Sequence, residues 1–88
     1  MKVFIAQVTE IHESVTAVAD TALGAARLAL AEAQAYLSER GATDHHGKKW
    51  TQKTIVEWFG VIVYEAEIGS VWREGHAGTH YNDLAEII

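Results

Sequence analysis

Residues 2–12, KVFIAQVTEIH, are rich in β-branched and aromatic side chains, with Phe4, Ala6 and Val8 alternating against Val3, Ile5, Gln7 and Thr9. Alternation of this kind specifies a strand, and because both sides start apolar the pattern predicts a strand covered on both faces at one end. In residues 13–20, Val15, Ala17 and Ala19 alternate with Thr16 and Val18. The β-branched content favours a second strand, joined to the first as a hairpin, over a backward extension of the helix that follows.

From about Thr21 to Arg40 the period changes to that of a helix. Asp20 or Thr21 can cap its first turn, Ala, Leu, Glu, Gln and Arg fill it, and Gly41 stands where a left-handed C-terminal residue is wanted. At 100° per residue, Leu23, Ala26, Leu30, Ala33 and Leu37, flanked by Ala22, Ala29 and Tyr36, form one arc expected to lie on the sheet. Gly24, Leu28, Ala31 and Ala35 form a second, narrower band outside that arc. These are small residues that a neighbouring helix could approach closely, or simply good helix formers on a solvent face.

A short helix is predicted in WTQKTIVEWFG, with Thr51 or Thr54 as its cap, Ile55, Trp58 and Phe59 at i, i+3, i+4, and Gly60 as terminator. VIVYEAEI then alternates Ile62, Tyr64, Ala66 and Ile68 with Val61, Val63, Glu65 and Glu67, a half-exposed strand. The order contains no βαβ repeat. It predicts an α+β fold: a three-stranded, mostly antiparallel sheet with one long and one short helix packed on one face (ββααβ). Residues 1–88 form a single domain, and residues 73–88 are a tail that docks in cis or on a neighbouring subunit. Asn82 is placed to cap a final turn carrying Leu84, Ile87 and Ile88.

Composition narrows the chemistry. The 88 residues include no cysteine and no proline, which removes disulfides, thiolate metal sites and cysteine nucleophiles and points to a cytoplasmic protein. No run reaches the ~18–20 apolar residues of a membrane helix, and the start lacks the apolar centre of a signal peptide. Hydrophobic residues make up 49% of the chain, but fourteen of them are alanine, so core volume must come from Val, Ile, Leu and the aromatics.

The net charge of -5 is uneven. Residues 40–53 are the only basic stretch, holding Arg40, Lys48, Lys49 and Lys53 beside His45, His46 and Trp50. Lys48, Lys49, Trp50 and Lys53 are therefore the candidate contacts if the chain binds nucleic acid. The competing reading is a solvated loop, marked by Gly41, Asp44 and Gly47, in a chain whose overall charge opposes approach to phosphate.

Five histidines raise a metal alternative, hydrolytic or purely binding, with His76 and His80 four apart and His45 and His46 adjacent. Gly75 and Gly78 argue against a helix through His76 and His80, and a third ligand would have to be Asp44, Asp83 or Glu74. Solvated loop histidines are the default, and no cofactor is expected. Glu65 and Glu67 share one side of a strand about 7 Å apart, as water-facing carboxylates commonly do. No serine carries elbow-type glycines.

Trp50, Trp58, Phe59, Tyr64 and Trp72 fall within 23 positions, more aromatic surface than a small core absorbs. With the two-faced first strand and the apolar C-terminal residues, this predicts a self-associating protein, a homodimer or higher oligomer. Trp58, Phe59, Trp72, Ile87 and Ile88 are its candidate interface residues. The hairpin running into AVADT and its alanine-rich helix, then TIVEWFG leading into VIVYEAEIGS, resembles in outline small uncharacterised proteins encoded by bacteriophages, plasmids and some actinobacteria. The resemblance spans about residues 3–70, carries no catalytic or binding residue, and implies a small accessory protein acting on a host component. The expectation is therefore a small, acidic, non-enzymatic interaction protein whose partners are itself and another protein.

Overall fold

The computed structural model describes residues 1–69 and 78–87. Strands β1 (Lys2–Val8) and β2 (Val15–Ala19) form the predicted hairpin. The first strand stops at Val8, short of the predicted span, because residues 9–14 make the connection and His12 takes a positive φ of 81° that a strand cannot hold.

Helix α1 (Ala22–Glu39) begins at Thr21, whose hydroxyl accepts from the Gly24 N–H at 3.0 Å. It ends in a Schellman motif: Gly41, at φ 66°, donates to the Ser38 carbonyl and Ala42 donates to that of Leu37. Helix α2 (Gln52–Trp58) has Thr51 as its cap. Thr54 completes a capping box, so both threonines singled out by the sequence take part.

Strand β3 (Val61–Glu67) follows, paired antiparallel with β1. The sheet has a fourth strand, β4 (Thr79–Tyr81), inside the segment expected to be a tail, and a 3-10 turn over Leu84–Ile87 after it. The sheet order is β2-β1-β3-β4, antiparallel throughout, with both helices on one face. Three residues bordered by a Gly-containing stretch give too short an alternation to announce a strand. β4 owes its existence to pairing with β3, in which His80 lies opposite Ile62.

The core lies between helices and sheet. Ala6, Val8, Val61 and Val63 meet Ala25, Ala26, Ala29, Leu30, Ala33 and Leu37 of α1, with Ile55 and Val56 of α2 and Trp50 closing one end. Four alanines on the buried arc of α1 let its backbone come close to the sheet, which is how so small a volume of large side chains closes a core. Leu23, predicted within that arc, is only half-buried. Tyr81, Leu84 and Ile87 pack against the same core.

Candidate interaction surface

The pleat sends every second side chain of the sheet away from the helices. On that far face the register aligns Val18, Ile5 and Tyr64 in one row, Thr16, Gln7, Ile62 and His80 in the next, and Val3 beside Ala66. None of these nine residues is an acid, a lysine or an arginine, and neither helix packs on them. Val18 is 57% exposed, and Ile68, just beyond β3, is 63% exposed. The sheet face expected to be covered near the start of β1 thus carries no helix among the described residues. Gln7 donates to the Thr16 hydroxyl at 3.4 Å across the β1–β2 pair on this face.

The chain's charges sit elsewhere. Glu65 and Glu67 do share one side of β3, but it is the side that bears the helices, beyond their cover. Lys2 Nζ lies 3.1 Å from Glu65, and the N-terminal ammonium 3.2 Å from Glu67. The Glu65 hydrogen bond and charge raise the Lys2 pKa above its ordinary value. Exposed pairs of this kind contribute little to stability, and each carboxylate has a cation rather than a second carboxylate to work with.

The basic loop is well ordered by its own bonds. Asp44 Oδ1 accepts from the Lys48 and His46 backbone N–H groups at 3.0 and 2.9 Å, and these bonds, the one from Lys48 foremost, hold its carboxyl below the usual range. Lys48, Lys49 and Lys53 are exposed, but Trp50 is only 8% exposed, its ring packs tilted against Phe59 with centroids 5.0 Å apart, and its carbonyl accepts from Gln34. Its ring has no open face for a base. The exposed indole is Trp58, at 56%, 4.8 Å from the His45 ring, which in turn is 3.9 Å from that of His46. These side chains border a notch of about 200 Å3 shared with Thr54 and Glu57.

Among the five interface candidates, Trp58 is exposed, whereas Phe59 and Ile87 are half-buried against the chain's own core. Trp72 and Ile88 lie outside the described residues, as does His76. His80 projects from the far face of the sheet, with its ring over Gly60, while His45 and His46 belong to the loop before α2. Among the described residues no group of three or more His, Asp or Glu side chains is placed to hold a metal ion, and no helix is long and apolar enough to cross a membrane. The far-face residues Val3, Ile5, Val18 and Ile62 were not singled out by the aromatic clustering. The signal that marks them is apolar residues on both sides of β1 and of the first half of β3, a pattern that calls for two covering layers when the chain has helices for one. No protein-family model, curated protein or solved structure matches the chain.

Proposed function

We propose that this chain is a small interaction protein that works by association, with copies of itself and with another protein, rather than by catalysis. One observation carries the reading: the sheet face opposite the helices is built around Val3, Ile5, Val18, Ile62 and Ala66 with no charged residue among them. An antiparallel sheet whose outer face is meant for water alternates apolar inside with charged or polar outside. Here the charges lie on the helices, the loops and the ends of the sheet, and the second face carries six apolar or aromatic residues beside the uncharged Gln7, Thr16 and His80. Such a face on a chain of net charge -5 is a surface where long-range self-repulsion is weakest and burial most favourable. The separate exposure of Leu28 at 55% and Trp58 at 56% adds apolar surface on the helix side.

Light scattering coupled to gel filtration, run from micromolar to millimolar chain, tests it. The expected result is a mass that rises above 9.7 kDa with concentration. A constant 9.7 kDa across that range overturns the reading.

A further inference from the structure

The sheet has two edges, and they are not alike. β4 is three residues long, and shortness is one of the ways natural sheets keep an edge from recruiting strands. β2 is five residues, Val15–Ala19, with no charge and no proline, and among the described residues its only strand partner is β1. Its outer N–H and C=O groups face away from the sheet, flanked by the exposed Val18 side chain. Charge, proline and a covering element, the usual protections of an edge, are all missing from it among the described residues.

We infer that β2 is where two copies of the chain join, through antiparallel pairing of β2 with β2 of a second copy about a two-fold axis at Ala17. This inference rests on the self-association proposed above and adds its geometry. A symmetric pairing centred on Ala17 sets Thr16 beside Val18 of the second copy and Val15 beside its Ala19. Continued outward, Ser14 falls opposite Asp20 and Glu13 opposite Thr21, so no like charges are directly opposed along the seam. A negatively charged chain meeting itself needs such a stretch, and an isologous contact of this kind uses up the β2 edge of both copies and leaves only the short β4 strands at the ends of the combined sheet.

The pairing would also enlarge the uncharged face of the sheet. Four strands about 4.8 Å apart and about five residues long at 3.3 Å each give a face of roughly 300 Å2 in all, on which six of the nine paired side chains are apolar or aromatic. Two copies joined at β2 present one continuous face of about 600 Å2, approaching the ~800 Å2 per side of a stable protein–protein contact. The dimer, rather than the single chain, is the unit that can hold a protein partner. The seam itself is one short strand pair, so the dimer is expected to dissociate at low micromolar concentration.

The absence of cysteine makes the test clean. Thr16 and Val18 are both exposed, so Thr16→Cys and Val18→Cys keep the fold. In the inferred register these positions are opposite one another, with Cα atoms about 4.5–5.5 Å apart, within disulfide reach. Like positions are offset by two residues, and lie beyond the ~7 Å limit. Under oxidised glutathione, an equimolar mixture of the two variants is expected to form the mixed disulfide, one chain carrying Thr16→Cys and the other Val18→Cys, at least ten times faster than either variant alone forms its homodimer. Val18→Lys, checked for an unchanged circular dichroism spectrum, is expected to weaken association at least tenfold in sedimentation equilibrium. If light scattering shows an oligomer but crosslinking lacks the mixed preference, or Val18→Lys associates normally, the β2 seam is wrong while self-association stands. If the unmodified chain stays at 9.7 kDa, both fall.

Discussion

Gly60 joins α2 to β3 with φ at 77°, and a Cβ placed on it would run into the His80 imidazole. Replacing it with alanine therefore imposes two separate costs. The left-handed backbone costs an L-residue about 1–2 kcal/mol, of which roughly 0.4–1 kcal/mol is returned because alanine restricts the unfolded chain. The imidazole must also leave its place. His80 is exposed, so it can swing into water, and the cost of that step is about 0.5–1.5 kcal/mol, the scale of an unfavourable rotamer. Together Gly60→Ala is expected to lose about 1–3 kcal/mol, which at 4–8 °C per kcal/mol for a domain of this size is roughly 5–20 °C in Tm. Urea and thermal unfolding of Gly60→Ala, His80→Ala and the double variant, at one fixed protein concentration, separate the two parts. In the His80→Ala background the collision is gone, and only the backbone part, about 0.5–1.5 kcal/mol, should remain. A Gly60→Ala stability within about 0.3 kcal/mol of wild type would refute the conformational argument, and an equal loss in both backgrounds would refute the role given to His80.

The Tyr36 hydroxyl is buried with no hydrogen-bond partner among the described residues, while the Arg40 guanidinium lies 4.6 Å over its ring. Tyr36→Phe keeps the ring contact and removes the orphaned oxygen, so stability should hold or rise by about 1 kcal/mol, and a clear loss in urea melts would contradict it. Thr51→Ala removes the cap of α2 and half of the capping box, for an expected loss of about 1 kcal/mol in urea melts, with Thr51→Ser close to wild type as the control. Asp44 has a carboxyl whose folded pKa is depressed below its ordinary 3.8. Its contribution is present above that value and is lost as pH falls through the folded pKa. The stability difference between wild type and Asp44→Asn should therefore shrink as pH is lowered below about 4, and a difference that grows toward acid would reverse the assigned sign.

The elements that were legible in the sequence are those whose signals are local. Thr21, Thr51, Thr54 and Gly41 act at helix ends through bonds spanning at most five residues, and the alternation of β3 is visible in eight letters. β4 was not legible, because a three-residue strand is defined by its partner and not by its own pattern. Trp50 shows the same limit for the site. In sequence it stands among lysines like a stacking residue, yet the Asp44 turn and the Gln34 hydrogen bond fold the loop back so that its indole closes the core. Trp58, eight positions on, is left outside because α2 ends there and Phe59 takes the inward place. The far face of the sheet was half legible. The apolar residues on both sides of β1 could be read, but which side the helices would occupy depends on long-range packing of α1 against both strands of the hairpin.

A sheet with two apolar faces needs a covering layer on each, and this chain spends its helices, 18 residues in α1 and 7 in α2, on one. α1 covers its share with little side-chain volume, because an alanine-lined arc brings the helix close to the sheet. Were the second face meant for water, the least costly sequence would place charges at Ile5, Val18 and Ile62, where they would strengthen solubility. Keeping them apolar in a chain that carries 19 charged residues elsewhere is a cost in the isolated monomer. Under the association proposed above that cost is recovered when a second molecule covers the part of the face the described residues leave open, and the uncharged β2 edge, longer than the three-residue β4 edge, is the border across which the proposed pairing extends it.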